Sequence, residues 1–205
     1  MSLLLLFIIG LGTGLSGAMI PGPLFFFTCS QSLKKDSAVG LRIALGHILI
    51  EIVFVALIFI GFRNFLSSET FMRGVSAMGG TALIGMGFIL FRGARRMSFS
   101  INEKFESDYK SIIGGAFFSI ISPGFLIWWT TIGFSVILKS LLFGFVGFMM
   151  VAVGHWLADL GWHWFVSYFV HKGKNYLKDK TYQGLIRTLA VGLIAIGVSF
   201  LMNNF

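Results

Sequence analysis

The sequence has one cysteine and few charged residues. A single cysteine, Cys29, excludes an intramolecular disulfide and any dithiol relay within the chain, and we interpret it as a small apolar residue. Charged residues make up 12% of the chain, against about 25% in ordinary soluble domains, whereas hydrophobic residues make up 56%. This composition is typical of an integral membrane protein.

The sequence also lacks the motifs of common enzyme sites. It has no glycine-rich phosphate loop, no nucleophile elbow and no HExxH motif, so we predict neither an enzyme nor a cofactor. The net charge of +8 does not predict a nucleic-acid partner, because the charges lie between apolar runs instead of on one polar face. The N-terminal segment has no basic region and no small-residue cleavage site, so we expect the first helix to be retained.

Six apolar runs are each long enough to cross roughly 30 Å of hydrocarbon as a helix. They are residues 3–31, 39–62, 72–92, 110–138, 140–168 and 183–202. We therefore predict an all-α integral membrane protein with six transmembrane helices in one transporter domain, residues 1–205. The polar stretch 93–109 is predicted to be a loop instead of a folded module.

Lysine and arginine are distributed unevenly between the connections. Three of the 16, Arg63, Arg73 and Lys139, lie in the second and fourth connections. The others lie in or beside the first, third and fifth: Lys34, Lys35, Arg42, Arg92, Arg95, Arg96, Lys104, Lys110, Lys172, Lys174, Lys178, Lys180 and Arg187. Because basic residues concentrate in cytoplasmic loops, this bias predicts two extracytoplasmic termini. We expect the plasma membrane of a prokaryote, and binding of anionic lipid headgroups is an alternative role for these residues.

The second half of the chain repeats the first. The matched segments, in order, are PGPLFFFT (21–28) with PGFLIWWT (123–130), GHILIE (46–51) with GHWLAD (154–159), and more weakly IGMG (84–87) with IAIG (194–197). Repeat 1 covers about residues 1–92 and repeat 2 about residues 110–205. Each repeat has three spans, an odd number, so the two copies are predicted to be inverted, with a substrate site between them.

Proline interrupts the first and fourth predicted helices at matching positions, in Pro21-Gly22-Pro23 and Ser122-Pro123-Gly124. Proline removes a backbone hydrogen bond and clashes with the preceding turn, so a break within a membrane requires protein or water to satisfy the freed carbonyls. A packing kink would explain one proline, but two matching breaks favour a cavity. We therefore predict that these six residues form the substrate site.

Two pairs, His47/Glu51 and His155/Asp159, lie inside apolar spans. Residues four apart share one helix face. A central acidic residue costs roughly 2.5–3.5 kcal/mol on insertion scales, so its presence requires a reason. A carboxylate beside an imidazole is suited to exchanging a proton near neutral pH, and we predict ion coupling at both pairs. Hydrogen bonding that only joins helices is the alternative.

Other histidines and glycines receive structural interpretations. His163 and His171 lie among aromatic residues and lysines, which predicts an interfacial position. A set of small residues is predicted to allow close helix approach: Gly10, Gly14, Gly79, Gly80, Gly85 and Gly87.

Two of these stretches carry a resemblance to a known family. GAMIPGP (17–23) looks like the helix-1 signature of the LysE/RhtB family of amino-acid exporters, within the LysE superfamily, and GGTALIGMG (79–87) is similar to its third helix. Where that family usually has Asn-Pro-Lys, this chain has Ser122-Pro123-Gly124. The resemblance extends over nearly the whole chain and implies an exporter of a small amino acid or related metabolite, driven by an ion gradient.

Several alternatives stay open. Divalent-cation export is one, because two histidines and two carboxylates can converge as metal ligands if the repeats meet, although no metal site is predicted from spacing alone. Thiol-redox electron transfer is disfavoured by the single cysteine, and a scaffold without transport is a further alternative. The predicted partners are a small-molecule substrate and the lipid bilayer, with a homo-oligomer left open.

Overall fold

The computed structural model describes residues 2–94, 108–174 and 179–202, and these are helical except at short connections. The helices are α1 (Leu3–Ala18), α2 (Pro23–Lys34), α3 (Val39–Phe59), α4 (Arg63–Leu66), α5 (Glu69–Gly93), α6 (Asp108–Ile120), α7 (Pro123–Trp128), α8 (Phe134–Leu141), α9 (Gly144–Lys174) and α10 (Asp179–Met202). A π-helical turn, Trp129–Gly133, joins α7 to α8. The all-α prediction is confirmed. Residues 95–107 of the predicted loop, with Arg95, Arg96 and Lys104, lie outside the described residues, as does Lys178.

The described helices confirm a multi-pass membrane protein. Five segments are long and apolar enough to span a membrane: residues 39–59, 69–93, 123–141, 144–174 and 183–202. A sixth span is formed when α1 and α2, which meet at an angle of 78°, are counted together. The number of predicted spans therefore agrees with the structure.

The first and fourth predicted spans are interrupted at the predicted proline positions, and neither is a continuous helix. Residues 3–31 are divided between α1 and α2, and residues 110–138 are divided after α6. Pro23 and Pro123 are the first residues of α2 and α7. Proline is favoured at this position because its missing N–H has no intrahelical acceptor there and its φ angle already suits a helix.

The glycines of the two Gly-His motifs lie where helices of different repeats touch. A Cβ atom on Gly46 of α3 would lie 1.9 Å from the carbonyl oxygen of Ile112 in α6. A Cβ atom on Gly154 of α9 would lie 2.3 Å from the carbonyl oxygen of Phe7 in α1. Gly46 and Gly154 hold the same position in their motifs, and each meets a carbonyl group in the first part of a span from the other predicted repeat. The two contacts are therefore equivalent.

A second pair of contacts follows the same rule. Gly10 of α1 meets the carbonyl group of Val151 in α9, and Gly115 of α6 meets that of Ile43 in α3, with built Cβ atoms 2.1 and 2.0 Å from the oxygens. These correspondences support the inverted repeat, which itself stays a prediction.

Glycines also bring α5 and α10 together. A Cβ on either Gly80 or Gly197 would lie 2.7 Å from the other residue's carbonyl oxygen. Gly85 is different, because in the described part of the chain no heavy atom beyond its own helix backbone lies within 4 Å of its built Cβ. The packing role predicted for Gly85 is therefore wrong.

Helix α3 connects two hydrophobic clusters. Val39 and Ile43 near its start belong to one cluster, which includes residues of α2, α5, α6 and α10. Phe54 and Ile58 near its end belong to another, which includes residues of α4, α5, α7 and α8. His47 and Glu51 lie between these apolar segments, at the middle of the helix.

An ionic contact joins the start of α3 to the start of α6. Arg42 contacts Asp36, and its Nε lies 3.1 Å from Oδ1 of Asp108. Partial burial acts in the opposite direction, but hydrogen bonds from Arg42 and from the backbone N–H of Ala38 hold the pKa of Asp36 below its usual value. This contact adds to the glycine-mediated packing between the repeats.

Candidate substrate and ion site

The two helix breaks and both His–acid pairs line a single cavity of about 110 Å³. The predicted site residues found in its lining are Gly22, Pro23, Ser122, Gly124, His47, Glu51, His155 and Asp159. Pro21 and Pro123 do not line it, since Pro21 is exposed in the α1–α2 break and Pro123 is buried as the first residue of α7. The structure thus brings together residues that are more than 100 positions apart in the sequence.

Glu51 is the centre of a buried hydrogen-bond network. Its Oε1 lies 3.2 Å from Nε2 of His47, 3.1 Å from Nε2 of His155 and 3.2 Å from the indole Nε1 of Trp129, which donates to it. His155 is closer to Glu51 than to its own predicted partner Asp159, whose Oδ2 is 3.5 Å from Nε2. The two pairs therefore form one cluster between α3 and α9.

Both carboxylates keep one oxygen without a hydrogen-bond partner. Glu51 and Asp159 are each 1% exposed, and among the described residues neither Oε2 of Glu51 nor Oδ2 of Asp159 has a hydrogen-bond partner, although Oδ2 of Asp159 lies 3.5 Å from Nε2 of His155. Buried charged oxygens are normally paired, because an unpaired one loses its hydration without compensation. These oxygens are therefore available to a proton, a cation or a donor group entering the cavity.

The hydroxyl group of Ser119 orients His47 in the cavity. Ser119 Oγ lies 2.7 Å from the carbonyl oxygen of Gly115 and 2.7 Å from Nδ1 of His47. A hydroxyl has one proton, so when Ser119 donates to that carbonyl, Nδ1–H of His47 must donate to Ser119. In the neutral ring Nε2 then carries the lone pair and faces Glu51. A proton shared by His47 and Glu51 accordingly lies between Nε2 and Oε1.

His163 belongs to the site, so its predicted interfacial position is wrong. Its side chain is 2% exposed, it lines the cavity, and Nδ1 lies 3.0 Å from Oγ1 of Thr28. The sequence spacing could have indicated this position, because residues 155, 159 and 163 recur every four positions and so lie on one face of α9. His171 lies outside the cavity, near the end of α9, where its Nδ1 is 2.6 Å from the carbonyl oxygen of Lys35.

Two adjacent tryptophans, which sequence reasoning did not nominate, form a wall of the cavity. The ring centroids of Trp128 and Trp129 lie 5.0 and 5.2 Å from that of His155. The same three residues also line a second, apolar cavity of about 230 Å³ between α3, α8 and α9. The π-helical turn begins at Trp129, and such turns frequently occur at functional sites. Among the described residues, the buried indole Nε1 of Trp128 has no hydrogen-bond partner, which leaves a donor beside the cavity that holds the acidic residues.

Comparison with known proteins gives a family for this site. A family model described as LysE type translocator matches residues 15–204, a range that contains both breaks and the whole cluster. The chain belongs to the LysE type translocator family. Searches of curated proteins and of solved structures returned no match. Membership confirms the resemblance found in the sequence, and it supports membrane transport of a small molecule over an enzymatic function.

Proposed function

We propose that this LysE type translocator is a secondary transporter that exports a small amino acid or related metabolite across the plasma membrane of a prokaryote, with both termini extracytoplasmic. We further propose that a proton gradient drives the export. The observation that carries the proposal is the single cavity in which two interrupted helices meet a buried cluster of acidic residues and histidines. Broken helices around a central site are the usual construction of secondary transporters.

The substrate's anionic group is proposed to bind where α2 begins. Pro23, Leu24 and Phe25 form the first turn of this 12-residue helix and line the cavity, and the backbone N–H groups of this turn belong to Leu24 and Phe25 because proline has none. The first backbone N–H groups of a helix have no intrahelical acceptor, and the helix dipole favours negative charge at this end. The unpartnered indole N–H of Trp128 adds a donor beside the same cavity. Together these groups suit a carboxylate.

The proposed proton sites are the two buried acidic residues. Glu51 is supplied by α3 and Asp159 by α9, at matching positions of the two repeats. Each has one oxygen that lacks a hydrogen bond among the described residues and can take up a proton, and His47 and His155 lie within 3.5 Å of these carboxylates. Protonation of the cluster would remove negative charge from the cavity wall, which gives a physical link between proton binding and solute binding.

The size of the cavity favours a small substrate. A cavity of about 150 Å³ holds one benzene molecule, and this cavity measures about 110 Å³. A solute of a few non-hydrogen atoms fits without rearrangement. A larger solute would require the tryptophan wall or the helix breaks to move.

Two experiments test the proposal. Metabolite profiling of cells with and without the protein identifies the exported solute. Transport assays with the purified protein in vesicles then distinguish loss of proton coupling from loss of solute binding. In the variant Glu51→Gln/Asp159→Asn we expect uptake driven by a pH gradient to collapse while counterflow at fixed pH persists. The matched control is Glu69→Gln, which changes an exposed acidic residue on α5. Full gradient-driven transport in the double variant would show that the cluster only joins helices.

A further inference from the structure

Three side chains of the acidic cluster, His47, Glu51 and Asp159, have the spacing of metal ligands, and His155 lies beside both carboxylates. Nε2 of His47 and of His155 lie 3.2 and 3.1 Å from Oε1 of Glu51, and Nε2 of His155 lies 3.5 Å from Oδ2 of Asp159. One ligand atom from each of His47, Glu51 and Asp159 falls within 4.8 Å of the other two. Adjacent ligands at about 2.1 Å from a tetrahedral or octahedral ion are about 3.0–3.4 Å apart. An ion could therefore be held after small side-chain movements.

The unpartnered oxygens give an independent indication of a cation. Among the described residues, Oε2 of Glu51 is buried without a hydrogen bond, and Oδ2 of Asp159 has only the 3.5 Å contact with Nε2 of His155. Both residues are 1% exposed and line the cavity. In the described part of the chain, the possible ion pairs of these two carboxylates are with histidines only, which carry a charge only when they are protonated. Two carboxylates beside neutral imidazoles match the charge of one divalent cation.

The orientation of His47 also suits a ligand. Metal-binding histidines usually donate their second ring N–H to another protein group, which sets the tautomer and directs the lone pair at the metal. His47 does this with Ser119, which lies 2.7 Å from Nδ1, so that Nε2 faces Glu51. The hydrogen-bond geometry thus prepares one imidazole as a donor to an ion in the cluster.

We propose that His47, Glu51, His155 and Asp159 bind one divalent transition-metal cation. Two imidazoles and two carboxylates favour cations such as Mn²⁺, Co²⁺ and Zn²⁺, whereas Mg²⁺ and Ca²⁺ prefer oxygen ligands alone. Because the ion and protons require the same carboxylate oxygens, a bound ion excludes the proposed coupling protons. The inference goes beyond the proposed function, since metal binding needs neither a substrate nor transport.

Titration of the purified, chelator-treated protein in detergent tests the proposal. We expect MnCl₂, CoCl₂ and ZnCl₂ to bind with one ion per chain in calorimetry and to raise the unfolding temperature, and MgCl₂ to do neither. Glu51→Gln and Asp159→Asn should each weaken binding by at least tenfold, since loss of even an outer-shell partner typically costs on the order of 10–100-fold. Glu69→Gln, the exposed control, should bind like the unchanged protein.

The visible spectrum of the Co²⁺-loaded, unchanged protein provides a readout that does not depend on a variant folding. We expect ligand-field bands that indicate coordination by nitrogen and oxygen. If none of the three transition metals binds the unchanged protein, the proposal is wrong; it is equally wrong if both acidic variants fold and keep full affinity. Solute export measured in chelator-containing vesicles reports on the proposed function separately, so either proposal can fail while the other stands.

Discussion

Substitution of Gly46 by alanine tests the packing between the repeats most directly. The added Cβ would lie 1.9 Å from the carbonyl oxygen of Ile112. Carbon and carbonyl oxygen normally approach no closer than about 3.3 Å, so α3 and α6 must separate by about 1.4 Å at this point. Backbone atoms cannot move aside as a flexible side chain does. Overpacking of this kind typically costs about 1–3 kcal/mol. We therefore expect Gly46→Ala to lower the free energy of unfolding by about 1–3 kcal/mol or more.

The measurement is the free energy of unfolding in detergent for variants matched in chemistry. Gly12→Ala is the control, because no heavy atom of the described residues, apart from the backbone of its own helix, lies within 4 Å of its built Cβ. Alanine is the better helix former, so this control should be neutral or more stable by up to about 1 kcal/mol. The built Cβ of Gly154 lies 2.3 Å from the carbonyl oxygen of Phe7 in α1. If the repeats are equivalent, Gly154→Ala should therefore lose about as much stability as Gly46→Ala. Equal stability of the Gly46 and Gly12 variants would refute the described contact between α3 and α6.

Three further predictions concern the breaks, the topology and the tryptophan wall. Pro21→Ala and Pro123→Ala should lower flux more than folded yield, because they favour continuous helix where the breaks lie; unchanged flux per folded molecule would make these prolines packing kinks. Reporter tags at Asp36 and Glu69, on either side of α3, should read as cytoplasmic and external respectively, and the reverse result would overturn the orientation derived from basic residues. Trp129→Phe keeps an aromatic ring but removes the N–H that donates to Oε1 of Glu51, so gradient-driven flux should fall at least severalfold with little loss of folded protein, and unchanged flux would show that this hydrogen bond is dispensable.

Local chemistry allowed much of this protein to be predicted from the sequence. Apolar runs predict membrane helices because unsatisfied backbone groups are too costly in hydrocarbon, and their number agrees with the structure. Prolines predict helix breaks for a similarly local reason, since a missing N–H affects its own turn. Because burying a charge in a membrane is costly, the sequence alone indicates Glu51 and Asp159 as candidate site residues.

Only the tertiary structure decided which partners these residues have. His155 lies closer to Glu51 of the other repeat than to Asp159 on its own helix, because close packing brings α3 and α9 together. His163 and Trp129 line the cavity for the same reason. The spacing of His163 from Asp159 places it on the same helix face, but no sequence neighbour of Trp129 predicts its contact. The free-energy cost of burying a side chain depends on that side chain's own chemistry. The identity of the partner that offsets this cost depends on which helix faces are in contact.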